Sequence, residues 1–570
     1  MRNTSPPTYW PAVPGWAIVT SYHRNWTRGD LLAGCTVAAY LVPQCMAYAT
    51  IAGLPPVVGL WTIIPCLAIY AVFGSSRQMS IGPESTTALM TAAVVAPLAA
   101  GDPVRYAALS AALAFMVGVL CLVAWVVRLG FIADLLSRPV LVGYMAGIAA
   151  LMIVGQLSHL TGVPVAGEGF RAELSSFLKN LNQADPATMI MGVVVLLFLF
   201  LAAWKWPSLP GPLLAVLLAT AAVMAFNLER FGIDVVGPFS TSMPTAGLPS
   251  LADFTGLAIP ALGVLLVGYT DVMLTARAFA TRESGNVDAN QELFALGTAN
   301  IGAGAIGGFP ISSSASRTAL AITAGARTQL YSIVALLWTL AVIFFLSPLL
   351  ARFPTVALGA IVLYAATHLV DIPGFARLWS FRRIEFALAI CAFLGVLIFG
   401  ILTGVLLAVA LSVAEMLRRI SRAHDAVQGF VPGLAGMHDV EDYPETITIP
   451  GLVVYRYDSP LFFANADDFR VNALEAVDQN EDEVPVAWLL LNMEANVEVD
   501  ITAMYALEAL RTELARRDIV LALTRVKHEL YLPLQRFGLV EKIGDNHIYP
   551  TLPTAIAGYR HWEAANTPSA

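Results

Sequence analysis

The chain has 570 residues, 57% hydrophobic and only 13% charged, where an ordinary soluble domain carries about 25% charged residues; this excludes a simple water-soluble globule. Its charges are unevenly spread. Residues 1–430 hold 22 Lys+Arg against 18 Asp+Glu, and residues 431–570 hold 10 against 22, so a mildly basic apolar body carries an acidic tail, and nucleic acid is excluded as the tail's partner.

Residues 1–30 are polar and Pro-rich, and are read as a cytoplasmic N-terminal segment. No cleavable signal-peptide pattern precedes the first apolar run at Leu31. The Asn-x-Ser/Thr sites at Asn3 and Asn25 fall on the side assigned to the cytoplasm and carry no function. A helix that spans a bilayer takes about 20 apolar residues. Segments of that kind follow at 31–51, 57–73, 107–127, 139–160, 189–203, 212–226, 254–279, 329–350, 355–369, 385–400 and 401–417, with a shorter Gly-rich one at 293–306. Two more are short and broken. Residues 79–97 open on Ser80-Ile81-Gly82-Pro83-Glu84-Ser85, and 307–325 open on Gly307-Gly308-Phe309-Pro310 and run into Ser312-Ser313-Ser314-Ala315-Ser316-Arg317.

The fourteen segments divide into two sevens, about 31–228 and 250–422, and a broken segment stands third in each. Paired interruptions at matching places point to an inverted-repeat transporter and to its substrate site; the alternative is that Gly and Pro only kink packed helices. Lys and Arg in short loops set the orientation. Arg24, Arg28, Arg77, Arg128, Lys205, Arg277, Arg282, Arg327, Arg382, Arg383, Arg418, Arg419 and Arg422 fall on one side, with Arg105, Arg171, Lys179, Arg230 and Arg352 as exceptions. Both termini are therefore expected in the cytoplasm, in a multi-pass inner-membrane protein. The membrane part is expected over 31–425. Beyond it, strands at 452–457, 486–492 and 519–525 alternate with helices at 465–477, 501–515 and 529–536, which describes a small α/β domain over 433–562.

The five cysteines lie in apolar stretches without a C-x-x-C pair, so neither a disulfide nor a zinc framework is expected. Polar groups at membrane depth are costly, so each needs a reason. Arg317 follows a serine run at the start of the second broken helix, where free N–H groups and the positive end of the helix dipole collect. An anion there would meet Ser314, Ala315, Ser316 and the guanidinium together; the alternative is a residue snorkelling toward the surface. A helix starting at Ser85 would add the N–H groups of Ser85, Thr86 and Thr87. Asp271, in an apolar helix, is a natural proton or cation site, or else the partner of Arg317 or Arg277 in an ion pair. Glu84 is either a first-turn cap or a second protonation site. Gln44 either donates an amide N–H to the substrate or bonds a neighbouring helix.

These motifs resemble a known family. Val42-Pro43-Gln44-Cys45-Met46-Ala47-Tyr48-Ala49, continuing through Ala52-Gly53-Leu54-Pro55-Pro56-Val57-Val58-Gly59-Leu60-Trp61, resembles the first-helix signature of the SulP sulfate permeases. Gly74-Ser75-Ser76-Arg77 with Ser80-Ile81-Gly82-Pro83 resembles the opening of their third helix, and Ser316-Arg317-Thr318-Ala319 their tenth-helix Ser-Arg motif. The tail resembles a STAS domain, with Val499-Asp500-Ile501-Thr502-Ala503 in place of its Asp-x-Ser/Thr loop. The likeness covers nearly the whole chain and is greatest to mycobacterial-type members. It implies an α-helical polytopic membrane protein of fourteen transmembrane segments in two inverted repeats, a core domain moving against a gate domain, a homodimer, and a soluble α/β STAS domain. It also implies that Gln44, the third helix near Glu84–Thr87, and Ser316–Arg317 line the anion site. Asp271 aligns with a carboxylate serving sodium in cyanobacterial bicarbonate carriers and protons in plant sulfate carriers. Plant relatives have Glu in place of Asp271, and Pro83 stands where the bicarbonate carriers use a sodium-holding threonine, which favours protons. Thr502 is the candidate phosphoacceptor by resemblance; the alternative is that Asp500 or Thr502 is the N-cap of the helix running to Ala515.

The expected function is proton-coupled uptake of an inorganic oxyanion, sulfate foremost, by elevator-like alternating access. The alternatives are bicarbonate or dicarboxylate transport, anion exchange, or a sensor that signals through its STAS domain to a cytoplasmic partner. No nucleophile–base pairing, metal cluster or nucleotide loop suggests an enzyme or a cofactor, and of the histidines only His159 and His368 lie near membrane segments.

Overall fold

The computed structural model describes residues 13–131, 137–165, 169–206, 210–238, 243–244, 251–279, 287–480 and 484–566; Asn3 and Arg282 lie outside them. Two compact units result, Met1–Ser412 and Val413–Ala570.

The first unit is helical, in the order expected. α1 (Thr27–Ile51), α2 (Pro56–Phe73), α3 (Ser85–Ala99), α4 (Pro103–Val126), α5 (Arg138–Thr161), α6 (Pro186–Lys205) and α7 (Gly211–Phe226) form the first seven. α8 (Leu251–Ala278), α9 (Ala289–Ala305), α10 (Ala315–Thr323), α11 (Leu330–Phe345), α12 (Thr355–Thr367), α13 (Arg383–Phe399) and α14 (Ile401–Ser421) form the second. Among the described residues, seven helices are long and apolar enough to cross a membrane. Local sequence starts several of them. Asp102 and Asp185 each precede a proline and accept from backbone N–H groups of the first turn, and Asp288 caps α9 in the same way.

The packing repeats under exchange of the two sevens. α4 packs on α8 and α9, as α11 packs on α1 and α2; α5 packs on α13, as α12 packs on α6. Large apolar side chains such as Ile190, Leu197, Phe226, Phe344 and Phe345 point outward from this body, as a lipid-facing surface requires. Inside, small residues let backbones meet. A Cβ added at Gly59 of α2 would strike the carbonyl oxygen of Cys45 on α1.

The broken segments are not merely kinked helices. Residues Ile81–Gly82 (β1) pair antiparallel with Ser312–Ser313 (β2), with Ile81 opposite Ser313 and Gly82 opposite Ser312. Only then do α3 and α10 begin. Three further features differ from the sequence reading. Residues 329–350 are interrupted where Ser347-Pro348 opens a new turn. Short amphipathic helices, Phe170–Lys179 and Ile372–Phe381, lie between spans, too short and too mixed in polarity to register as membrane segments.

In the second unit six strands form one sheet: β3 (Asp425–Phe430), β4 (Met437–Asp439), β5 (Leu452–Tyr457), β6 (Trp488–Asn492), β7 (Val520–Thr524) and β8 (Ile548–Tyr549), in the order β4-β3-β5-β6-β7-β8. β5 to β8 are parallel, and β3 and β4 join antiparallel. Alternate residues of the parallel strands serve two cores. Val453, Leu489, Leu491 and Leu523 pack with Phe469, Leu507, Leu510 and Leu534, while Val454, Trp488 and Leu490 pack with Ala555, Ile556 and Tyr559. Asp425–Phe430 precedes Gly433, so the sheet starts earlier than the helix-and-strand alternation suggested.

Candidate functional site

The crossing of β1 and β2 places two helix N-termini together. Ser314 N–H donates to the Ser80 carbonyl at 2.9 Å, and Ser80 N–H donates to Thr318 Oγ1 at 3.0 Å. Asn300 of α9 braces the second strand, accepting from Ile311 N–H at 3.0 Å. The first intrahelical donors are Ala88 and Thr318, bonding to the Glu84 and Ser314 carbonyls. The N–H groups one turn earlier, on Ser85–Thr87 and Ala315–Arg317, are the donors that a helix start leaves over. Ser85, Thr86, Thr87 and Ser314 are buried, whereas Ala315 and Ser316 are exposed.

Arg317 is fully buried, which excludes snorkelling. Its Nη1–H donates to Gln44 Oε1 at 3.1 Å and to the Pro83 carbonyl at 3.0 Å, and its Nε–H to Ser80 Oγ at 3.3 Å. Its Nη2 is buried without a hydrogen-bond partner, beside Gly82, where an added Cβ would lie 3.5 Å from it. All its partners are neutral, and among the described residues no carboxylate forms an ion pair with it. A buried cation without a counter-ion is costly, and an anion at the two N-termini would supply that counter-ion.

Gln44 is committed on both sides, since its Nε2–H also donates to Tyr48 OH at 2.9 Å. It orients Arg317, as the helix-bonding alternative had it. Glu84 occupies the N-cap position of α3, yet its side chain makes no cap bond; the capping alternative is corrected. Its Oε1 accepts from Ser85 Oγ at 3.1 Å, and its Oε2 is buried without a partner. Asp271 also departs from one expectation: among the described residues it forms neither an ion pair nor a hydrogen bond, with Arg317, Arg277 or any other group. It lies between Gly268 and Thr275, on the face of α8 that covers the crossing. A Cβ at Gly268 would sit 3.6 Å from Ser312 Cβ and 3.7 Å from Thr87 Cγ2, and Thr275 Oγ1 accepts from Ser313 Oγ at 3.0 Å.

Beside Ser316 a cavity of about 390 Å³ opens between α1, α6, α7, α10 and α12, with Tyr40, Thr323, Tyr364 and His368 as its other polar lining groups. Sequence reading had not singled out Ser80, Tyr40 or Tyr48, nor the Pro83 carbonyl. The i, i+4 spacing of Gln44 and Tyr48 was the available signal. In the second unit Asp500 caps Ile501–Arg516 by accepting from Ala503 N–H at 2.8 Å. Thr502 is exposed in that first turn and does not cap it.

Fold and site together describe a multi-spanning membrane protein with a buried guanidinium, free of any counter-ion among the described residues, at paired helix breaks. The chain belongs to the sulfate permease family, whose profile matches residues 27–392, and a STAS domain profile matches residues 443–555. It is 55% identical over 549 residues to a probable sulfate transporter of Mycobacterium tuberculosis, covering 96% of this chain and 98% of that one. It is 31% identical to probable sulfate transporter 3.3 of Arabidopsis thaliana, covering 90% and 85%. Its fold matches the murine Solute Carrier 26 family member A9 anion transporter in the inward-facing state, with a TM-score of 0.89 at 22% identity over 98% of this chain and 96% of that one. The transmembrane domain of a cyanobacterial bicarbonate transporter, BicA, matches with a TM-score of 0.59 at 22% identity over 69% and 98%.

Proposed function

We propose that this protein carries sulfate into the cell with protons, by elevator-like movement of a core (α1–α4 and α8–α11) against a gate (α5–α7 and α12–α14). The observation that carries this reading is the buried Arg317 guanidinium, held by neutral acceptors and left with an unpartnered Nη2 beside the starts of α3 and α10. The relatives named as sulfate transporters favour sulfate among oxyanions. Asp271, unpaired against the crossing, is the coupling carboxyl, and Pro83, standing where the bicarbonate carriers use a sodium-holding threonine, favours protons over sodium.

In this reading the anion is held by Arg317, Ser316 and the N–H groups of residues 85–87 and 315–317, with Gln44 keeping the guanidinium in place. The protein works as a homodimer in the inner membrane with both termini in the cytoplasm. Residues 1–30 and 31–425 form the N-terminal segment and the transport domain. Residues 433–562 form a regulatory domain, with Thr502 available to a kinase and the acidic surface to a cytoplasmic partner.

Radiolabelled sulfate uptake into proteoliposomes, with proton and sodium gradients imposed separately, tests this. Accumulation driven by the proton gradient alone is expected. Accumulation that needs sodium, or uptake outcompeted by bicarbonate, a dicarboxylate or chloride at equal concentration, would refute it.

A further inference from the structure

We infer that Glu84 is a second proton-bearing acid of the anion site, so that a divalent oxyanion enters with a proton on Glu84 as well as on Asp271; this rests on the reading of Arg317 and Asp271 above. Two buried polar atoms at the crossing lack partners, Arg317 Nη2 and Glu84 Oε2. The residues carrying them meet through one peptide, because the Pro83 carbonyl, directly before Glu84, holds Arg317 Nη1. Yet the two charged groups make no ion pair with each other. Both unpartnered atoms therefore belong to residues joined at the Pro83–Glu84 peptide, and neither neutralises the other.

The chemistry of Glu84 follows from its two oxygens. Oε1 accepts a hydrogen bond from Ser85 Oγ. Oε2 has no donor, so an ionised Glu84 would bury half its charge without compensation, at a desolvation cost. Protonated on Oε2, the same group becomes a donor in need of an acceptor, and an oxyanion oxygen between Glu84 and Arg317 supplies one. The site would then offer the anion a guanidinium N–H, a carboxylic O–H and helix N–H groups, all donors.

The surroundings add no competing charge. Among the described residues, Tyr40, Cys45 and Tyr48 on α1 and Asp271 on α8 lie in electrostatic reach of Glu84, and Arg317 on α10 reaches the same three groups of α1. Phenols and thiols are neutral near pH 7, so Arg317 is the one fixed positive charge among these. A dianion beside one cation and two ionised carboxylates would leave a large uncompensated negative charge at membrane depth. Protonating both carboxyls removes two of those negative charges. Each proton moves as H⁺ from water to a carboxylate oxygen and leaves with the anion, with no other bond made or broken.

The test is proton uptake on binding sulfate, measured on the purified full chain in weakly buffered detergent solution, with calorimetry counting the sulfate bound. At a pH where the empty site is ionised, wild type is expected to take up between about one and two protons per sulfate. Asp271→Asn should still take up a proton, Glu84→Gln should take up fewer than wild type, and the double variant none. Asp271→Asn that binds sulfate without taking up protons would overturn the role of Glu84. If that variant does not fold, Glu84→Gln with wild-type uptake would do the same. Wild type binding sulfate with no proton uptake at any pH would instead sink the coupled reading on which this rests.

Discussion

Arg317→Ala separates binding from folding, because its two effects have different sizes. The guanidinium holds Gln44 Oε1, the Pro83 carbonyl and Ser80 Oγ. Truncation takes the donor from three buried acceptors, at about 1–3 kcal/mol for each left unsatisfied. Against that, it releases a buried cation without a counter-ion, whose desolvation cost is several kcal/mol. The two roughly cancel, so the variant should fold with a melting temperature close to wild type. Binding has no such compensation. A charged hydrogen bond contributes about 1.5–3 kcal/mol, and a unit charge about 4 Å from an anion contributes about 4 kcal/mol at an effective dielectric of 20. The expected loss is therefore about 2–4 kcal/mol, or roughly 30- to 1,000-fold in sulfate affinity. Equilibrium binding of radiolabelled sulfate to purified protein, with thermal unfolding of the same sample, reads both quantities. Ser316→Ala should lose less, since it removes one neutral hydroxyl. A folded Arg317→Ala protein that binds sulfate within a few-fold of wild type would refute the assignment.

Asp271→Asn should fold as well as wild type, since no ion pair is broken, and should lose gradient-driven accumulation while keeping sulfate binding or exchange with weakened pH dependence; early unfolding would restore the ion-pair reading. Gly59→Ala should lower thermal stability by more than 1 kcal/mol and weaken sulfate binding, because the new methyl drives α2 off the Cys45 carbonyl, next to Gln44; unchanged melting and affinity would show that α1 and α2 yield freely. Truncation after Arg422 should leave a protein that binds sulfate with altered abundance or control, and complete loss of binding in a well-folded truncation would contradict this.

The membrane part was legible because its signals are strong and local. Long apolar runs, Asp-Pro helix starts and the two Gly-Pro-Ser interruptions give the order of helices directly. The Ser-Arg pair at the head of a broken helix likewise marks the polar crossing in the sequence itself. What stayed hidden depends on partners distant in sequence. Nothing in Ile81-Gly82 or Ser312-Ser313 alone tells that they pair, because two residues carry no periodicity. Glu84 reads as a cap by position, and only the geometry turns its side chain away from the N–H groups. The Asp271–Arg317 pairing looked reasonable by charge, yet Arg317 is occupied by the Pro83 carbonyl and Gln44. The first strand of the second unit escaped because Asp425–Phe430 follows directly on a basic helix end.

The antiparallel pairing of Ile81–Gly82 with Ser312–Ser313 has a consequence for how such proteins change. The spacing between the two helix starts is set by main-chain hydrogen bonds braced by Thr318 and Asn300, and so does not depend on the side chains at the helix starts themselves. In the function proposed above, charge, proton load and donor pattern are set separately, by residues at positions such as 84, 271 and 316. A lineage can therefore alter what is recognised one substitution at a time while the aperture keeps its dimensions. Site-directed libraries restricted to those few positions are the economical place to look for altered ion preference.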